Sequence, residues 1–151
     1  ILNKGGCNLS FAGLKTAILK ISKTAKNEQD KYDIAASFQK TILDILNKKT
    51  KVAFNEYEKI NKLENKVFVV AGGVAANQKI RSSLIKLCDE NNYQHIFPPI
   101  NFCGDNAAMI ALVGLEKFKI KQFSNLDFPA KPRWSLDETA IFLKGAGVNL
   151  D

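Results

Sequence analysis

Apolar positions change period several times along the chain, and each change marks an element. From Asp33 onward, Ile34, Phe38, Ile42, Ile45 and Leu46 recur at steps of three and four, which predicts a helix with one buried stripe. The pattern continues less cleanly through Val52, Ala53, Tyr57 and Ile60. Lys66–Ala71 is then a continuous β-branched and aromatic run that stops at Gly72-Gly73, the signature of a strand buried on both faces. Ile80, Leu84, Leu87 and Cys88 return to helical spacing and fade at Asn91-Asn92. Gln94–Phe97 gives a second short strand closed by Pro98-Pro99. Asp105–Phe118 is apolar nearly all round, so the expectation is a buried helix.

The flanks are less regular. Residues 1–10 carry Gly and Asn and read as irregular. Ser10–Thr16 fits a short strand or a turn leading into a helix through Ile21, and Asn27–Lys31 is a polar break. From Lys119 on, Pro129, Pro132 and Trp134 suggest an extended tail with a short helix at Asp137–Leu143. The alternation of strand and helix with short connections predicts an α/β domain with at least one parallel strand pair. Residues 1–119 are expected to form that single domain, and 120–151 the tail. Two strands are few for a sheet covered on both faces. Either Phe11–Leu14 adds a third or further strands precede Ile1. The opening Ile1-Leu2-Asn3-Lys4-Gly5-Gly6, with neither Met nor an apolar leader, reads as the interior of a longer chain.

Composition narrows the function classes. With 151 residues, 46% hydrophobic and 25% charged, the chain suits one soluble domain, and no apolar run reaches the ~20 residues of a membrane span. Cys7, Cys88 and Cys103 are odd in number and form no C-x-x-C pair, which argues against a disulfide framework or a zinc knuckle and fits a reducing cytoplasm. The formal net charge of +7 permits contact with a phosphate-rich partner such as RNA, although an excess of lysine does not by itself specify one.

Two turns carry the candidate chemistry. In Val70-Ala71-Gly72-Gly73-Val74-Ala75-Ala76-Asn77 a strand runs into a helix, and glycines there let the backbone approach a ligand closely. The helix start offers N–H groups and partial positive charge to an anion. Asn77 is either the helix cap or a ligand contact, and the two readings weigh equally. The second turn, Pro98-Pro99-Ile100-Asn101-Phe102-Cys103-Gly104-Asp105-Asn106, opens the last apolar helix. Asp105 is either that helix's cap or a carboxylate for a metal or a magnesium-bound phosphate. In open α/β sheets ligands sit beyond the carboxyl ends of the strands, where both turns fall.

Taken together, Phe11-Ala12-Gly13-Leu14-Lys15-Thr16, the AGGVAAN turn, the CGDNAAMIA turn and the tail Pro132-Arg133-Trp134-Ser135-Leu136-Asp137 resemble the TsaD family, formerly described as O-sialoglycoprotein endopeptidases. The resemblance implies the C-terminal lobe of the actin/hexokinase/Hsp70-like ATPase (RNase H-like) architecture, here with an incomplete sheet and packed helices. It implies transfer of threonylcarbamoyl from threonylcarbamoyl-adenylate to N6 of the adenosine beside the tRNA anticodon. It puts Asn77 on the adenylate, Gly72 and Gly73 beneath the nucleotide, and Asp105 on a divalent metal, iron in the first place with zinc or magnesium as alternatives. Lys15 would face the cleft. The implied partners are tRNA, an N-terminal lobe and the other proteins of the threonylcarbamoyladenosine pathway, without a membrane.

Two departures bear on these expectations. Ala12 stands where serine is usual in the family. The family's metal site also uses two histidines four apart in its first lobe, whereas His95 is the only histidine here and lies in a strand. A single carboxylate cannot close a metal site, so these residues alone are expected to bind metal poorly and to be inactive. A glycoprotease finds no support, since neither H-E-x-x-H nor a legible catalytic triad is present. The competing class is a non-catalytic nucleotide-binding or assembly module of the same fold.

Overall fold

The computed structural model describes residues 6–61 and 64–130. The expected tail motif at Pro132–Asp137 and the short helix at Asp137–Leu143 lie outside them. The described residues form four α-helices and two strands in the order α1 (Ala12–Ser22), α2 (Glu28–Ile60), β1 (Val67–Val69), α3 (Gln78–Glu90), β2 (Gln94–Ile96) and α4 (Ala107–Lys119). Single 3-10 turns, Gly73–Ala76 and Ile100–Phe102, follow the two strands. The chain is thus α/β, as the alternation of elements predicted. Residues 6–106 form one compact unit, and α4 opens a second.

The segment that could have been a third strand is helical. Phe11–Leu14 falls at the start of α1, where the carbonyl of Phe11 already accepts from Lys15 N at 2.9 Å. The break at Asn27 is a helix cap, its side chain accepting from Asp30 N at 2.8 Å. From there α2 runs unbroken for 33 residues, with Glu28 and Asp30 complementing the partial positive charge of its first turn.

β1 and β2 pair in parallel, Val67 with Gln94, Phe68 with His95 and Val69 with Ile96. α3 is the crossover a parallel pair requires. The core lies where α2, α3 and the strands meet. Phe54, Ile80, Leu84, Leu87, Cys88 and Tyr93 are buried there, with Phe68, Val70 and Phe97 packed against them. Phe54 stacks on Tyr93 at 3.7 Å between ring centres and meets Phe68 edge-on at 5.1 Å. Removing a ring of this size from such a site costs ~3–5 kcal/mol.

Two burial expectations are corrected. β1 is not covered on both faces, since Val67 and Val69 are 45% and 60% exposed and only Phe68 turns toward the core. A continuous apolar run signals a doubly covered strand only when layers exist for both sides, and the described residues supply helices to one. α4 was expected to be buried, yet all its residues are exposed, Ile110 and Leu112 among them. Its apolar circumference states what the helix could bury rather than what it does bury.

Candidate functional site

The first turn leaves β1 through Val70 and Ala71 and bends at Gly72, whose φ of 93° lies in the region that favours glycine. A methyl group on Gly73 would meet nothing within 4 Å, and the same holds at Gly104 in the second turn. Both glycines therefore face open space. Packing within the described residues does not account for them, and a ligand could approach both backbones.

Asn77 closes this turn. Its Oδ1 accepts from Lys79 N at 3.0 Å and from Ile80 N at 3.1 Å, and its carbonyl accepts from Arg81 N at 2.9 Å. The capping reading of Asn77 is thus realised. The first-turn amides expected to be open to an anion are mostly engaged, and only that of Gln78 remains among these four residues. Asn77 is nevertheless exposed, and its Nδ2 is still a donor available to a ligand.

The second turn leaves β2 through Phe97, Pro98 and Pro99, makes the 3-10 turn Ile100–Phe102 and buries Cys103. Asp105 is exposed. Helix α4 begins at Ala107, two residues on, so the adjoining position belongs to Asn106, whose Nδ2 donates to Gly104 O at 3.0 Å.

The two turns are held together by a side chain that composition and spacing did not single out. Arg81, on the first turn of α3, donates from Nε to Ala75 O at 3.2 Å and from one terminal nitrogen to Pro98 O at 2.8 Å. The same nitrogen lies 3.4 Å from Cys103 Sγ, and the guanidinium sits 4.9 Å from the centre of the Phe97 ring. Cys103 Sγ in turn lies 3.6 Å from Pro99 O and 3.8 Å from Pro98 O. Arg81 thus ties the 3-10 turn after β1 to the segment that leaves β2. The available signal was positional, because an arginine four residues after the cap faces back over the turn it follows.

Other expected residues lie elsewhere. Lys15 is exposed on α1. His95 lies on β2, with Nδ1 3.6 Å from Asp89 Oδ1. An apolar cavity of about 360 Å³ lies against Val69–Ala71 and the α2 face at Leu46 and Lys49, not between the turns. Lys49 itself is 3% exposed and donates to Gly6 O at 2.8 Å. It continues the stripe of Ile42 and Ile45, a position the apolar pattern alone does not flag. The cavity offers few polar groups to orient a substrate, whereas the turns offer several.

The described residues contain no group of three or more His, Cys, Asp or Glu side chains able to hold a metal ion. A protein metal site takes about three or four such ligands, so these residues alone do not fit one. Among the described residues no helix is long and apolar enough to cross a membrane.

Both turns leave the carboxyl ends of the parallel strands, the position at which open α/β sheets place ligands. The profile of the family TsaD, tRNA N6-adenosine threonylcarbamoyltransferase, matches residues 2–112, and this chain belongs to that family. It is 70% identical over 150 residues to the tRNA N6-adenosine threonylcarbamoyltransferase of Pelagibacter ubique (strain HTCC1062), covering 99% of this chain and 42% of that protein. The protein of the same name from Rickettsia conorii (strain ATCC VR-613 / Malish 7) is 48% identical over 141 residues, 91% of this chain and 41% of its own length. That of Ruegeria sp. (strain TM1040) is 42% identical over 153 residues, 97% of this chain and 42% of its own. The chain therefore spans about two fifths of the curated relatives it matches.

Proposed function

We propose that this chain forms the C-terminal lobe of a tRNA N6-adenosine threonylcarbamoyltransferase with the actin/hexokinase/Hsp70-like ATPase architecture. In the transfer, the exocyclic amine of the adenosine beside the anticodon attacks the carbonyl carbon of the threonylcarbamoyl group. The bond from that carbon to the adenylate phosphate oxygen breaks, AMP leaves and the amine sheds a proton. Asn77 contacts the adenylate through Nδ2, with Oδ1 engaged in the cap. Gly72 and Gly73 let the nucleotide lie close to the backbone. Asp105 is one ligand of a divalent metal, iron before zinc or magnesium, whose remaining ligands are histidines of the N-terminal lobe. The other partners are tRNA and the pathway's further proteins, and the reaction takes place in the cytoplasm.

The observation that carries this reading is the family match over residues 2–112, which includes both turns. Their tie through Arg81 supports a shared ligand. A non-catalytic module of the same fold is favoured by one observation, the lack of a metal-ligand group within the described residues. The two readings separate in the full-length protein. Asp105→Ala is expected to abolish tRNA modification while leaving the melting temperature nearly unchanged, because the side chain is exposed. Full modification by that variant would remove Asp105 from the metal site, and a large fall in melting temperature would return Asp105 to a structural role. Failure of this chain, combined with the N-terminal lobe and its partners, to modify tRNA would leave the module reading.

A further inference from the structure

Turns at strand ends are held only as firmly as their cross-connections. Within the described residues, one side chain makes side-chain hydrogen bonds to both. Arg81 is rooted in α3, one helical turn after Asn77. Its guanidinium bonds a carbonyl of the first turn (Ala75 O) and a carbonyl at the start of the second (Pro98 O). Two further contacts fix its plane, Cys103 Sγ at 3.4 Å and the Phe97 ring at 4.9 Å. Cys103 is 3% exposed and directly precedes Gly104 and Asp105. The path from Asn77 to Asp105 therefore runs through one helical turn, one guanidinium and one buried thiol.

We infer that Arg81 is a positioning residue for the transfer: it sets the distance and angle between the Asn77 turn and the Asp105 turn without touching substrate. This rests on the proposed function and adds to it a residue whose work is geometric. The guanidinium suits the task because its donors diverge in one rigid plane and can serve two carbonyls at once. A lysine ammonium reaches one of them at a time and fixes no angle. Reaction rates depend steeply on such placement, with misplacement by about 1 Å costing on the order of 10²-fold.

The test uses the full-length transferase, a tRNA transcript, threonylcarbamoyl-adenylate and AMP as the probe of the first turn. Arg81→Gln is expected to lower kcat on the order of 10²-fold, to weaken AMP binding and to leave the KM for tRNA unchanged. Arg81→Lys is expected to recover part of kcat. Leu87→Ala removes a buried side chain from the far end of α3 and serves as the stability control. It is expected to lower the melting temperature at least as much as Arg81→Gln while keeping kcat near that of the parent. If Arg81→Gln loses no more kcat than Leu87→Ala while Asn77→Ser weakens AMP binding and Asp105→Ala abolishes turnover, the positioning role is overturned and the site reading stands. If Asn77→Ser and Asp105→Ala both turn over normally, the site reading fails and takes this inference with it. Should Arg81→Gln not fold, Arg81→Lys decides: a folded Lys variant with the parent's kcat overturns the inference, and a folded one with a reduced kcat at unchanged melting temperature supports it.

Discussion

The Asn77 side-chain oxygen is engaged by Lys79 N and Ile80 N, so the cap and the proposed ligand contact use opposite ends of one amide. Serine caps about as well as asparagine but brings no amide donor. Asn77→Ser in the full-length protein should leave the melting temperature nearly unchanged and weaken AMP binding about tenfold, the worth of one hydrogen bond. Equal affinity in a calorimetric titration would confine Asn77 to capping. Gly73 supplies a second, oppositely signed test. Its added methyl meets nothing in the protein, and its φ lies outside the range that strains other residues. Gly73→Ala is therefore expected to raise stability by about 0.4–1 kcal/mol, through the unfolded chain, while obstructing a nucleotide seated on the turn. Unchanged AMP affinity in a more stable variant would remove the nucleotide from this backbone. The glycines, Asn77 and Asp105 were legible because strand-end turns need such residue types. Arg81 was not, because an arginine on a helix usually reads as part of a solvated face and only packing shows what it fastens.

At the level of elements, helices were easier to read than layers. The spacing Ile80, Leu84, Leu87, Cys88 on α3 names the buried residues of that helix, whereas of the α2 stripe only Ile45 is buried and Ile34, Phe38, Ile42 and Leu46 are half-buried. Phe54 was missed because it lies off the weak continuation through Ala53, Tyr57 and Ile60, of which Tyr57 and Ile60 are exposed. The burial of β1 and α4 was misjudged for a different reason, since an apolar run records the capacity to be covered and says nothing of the cover. The Phe54–Tyr93 stack also gives the fold a dependence on pH. Burial, followed by the neighbouring Glu58 carboxylate, raises the Tyr93 phenol above its ordinary value. A group that the fold keeps neutral leaves stability unaffected below its unfolded pKa, near 10 for tyrosine, and costs stability above it. Burial raises the Cys88 thiol too, with Asp89 adding to it, so the decline should begin near pH 8.5, where an unfolded thiol ionises. Denaturant midpoints measured across the alkaline range should fall from there, and Tyr93→Phe should remove the part above about pH 10. A Tyr93→Phe profile parallel to the parent's would show that the phenol is not the group responsible.

For the molecule as a whole, the three cysteines report separately on structure. Cys7 is exposed, Cys88 is 0% exposed in the core and Cys103 is 3% exposed behind the second turn. A thiol reagent should label one site quickly in the native chain and three in denaturant, with Cys103 becoming reactive first if the turns open before the core does. Rapid labelling of Cys88 in buffer would contradict the core described. The Arg81 tie has one more consequence. With a single guanidinium bonded to both bends, a guest that draws one bend inward alters the energy of the other. Occupancy at the Asn77 end and at the Asp105 end should then be cooperative, and linkage makes that cooperativity equal in both directions.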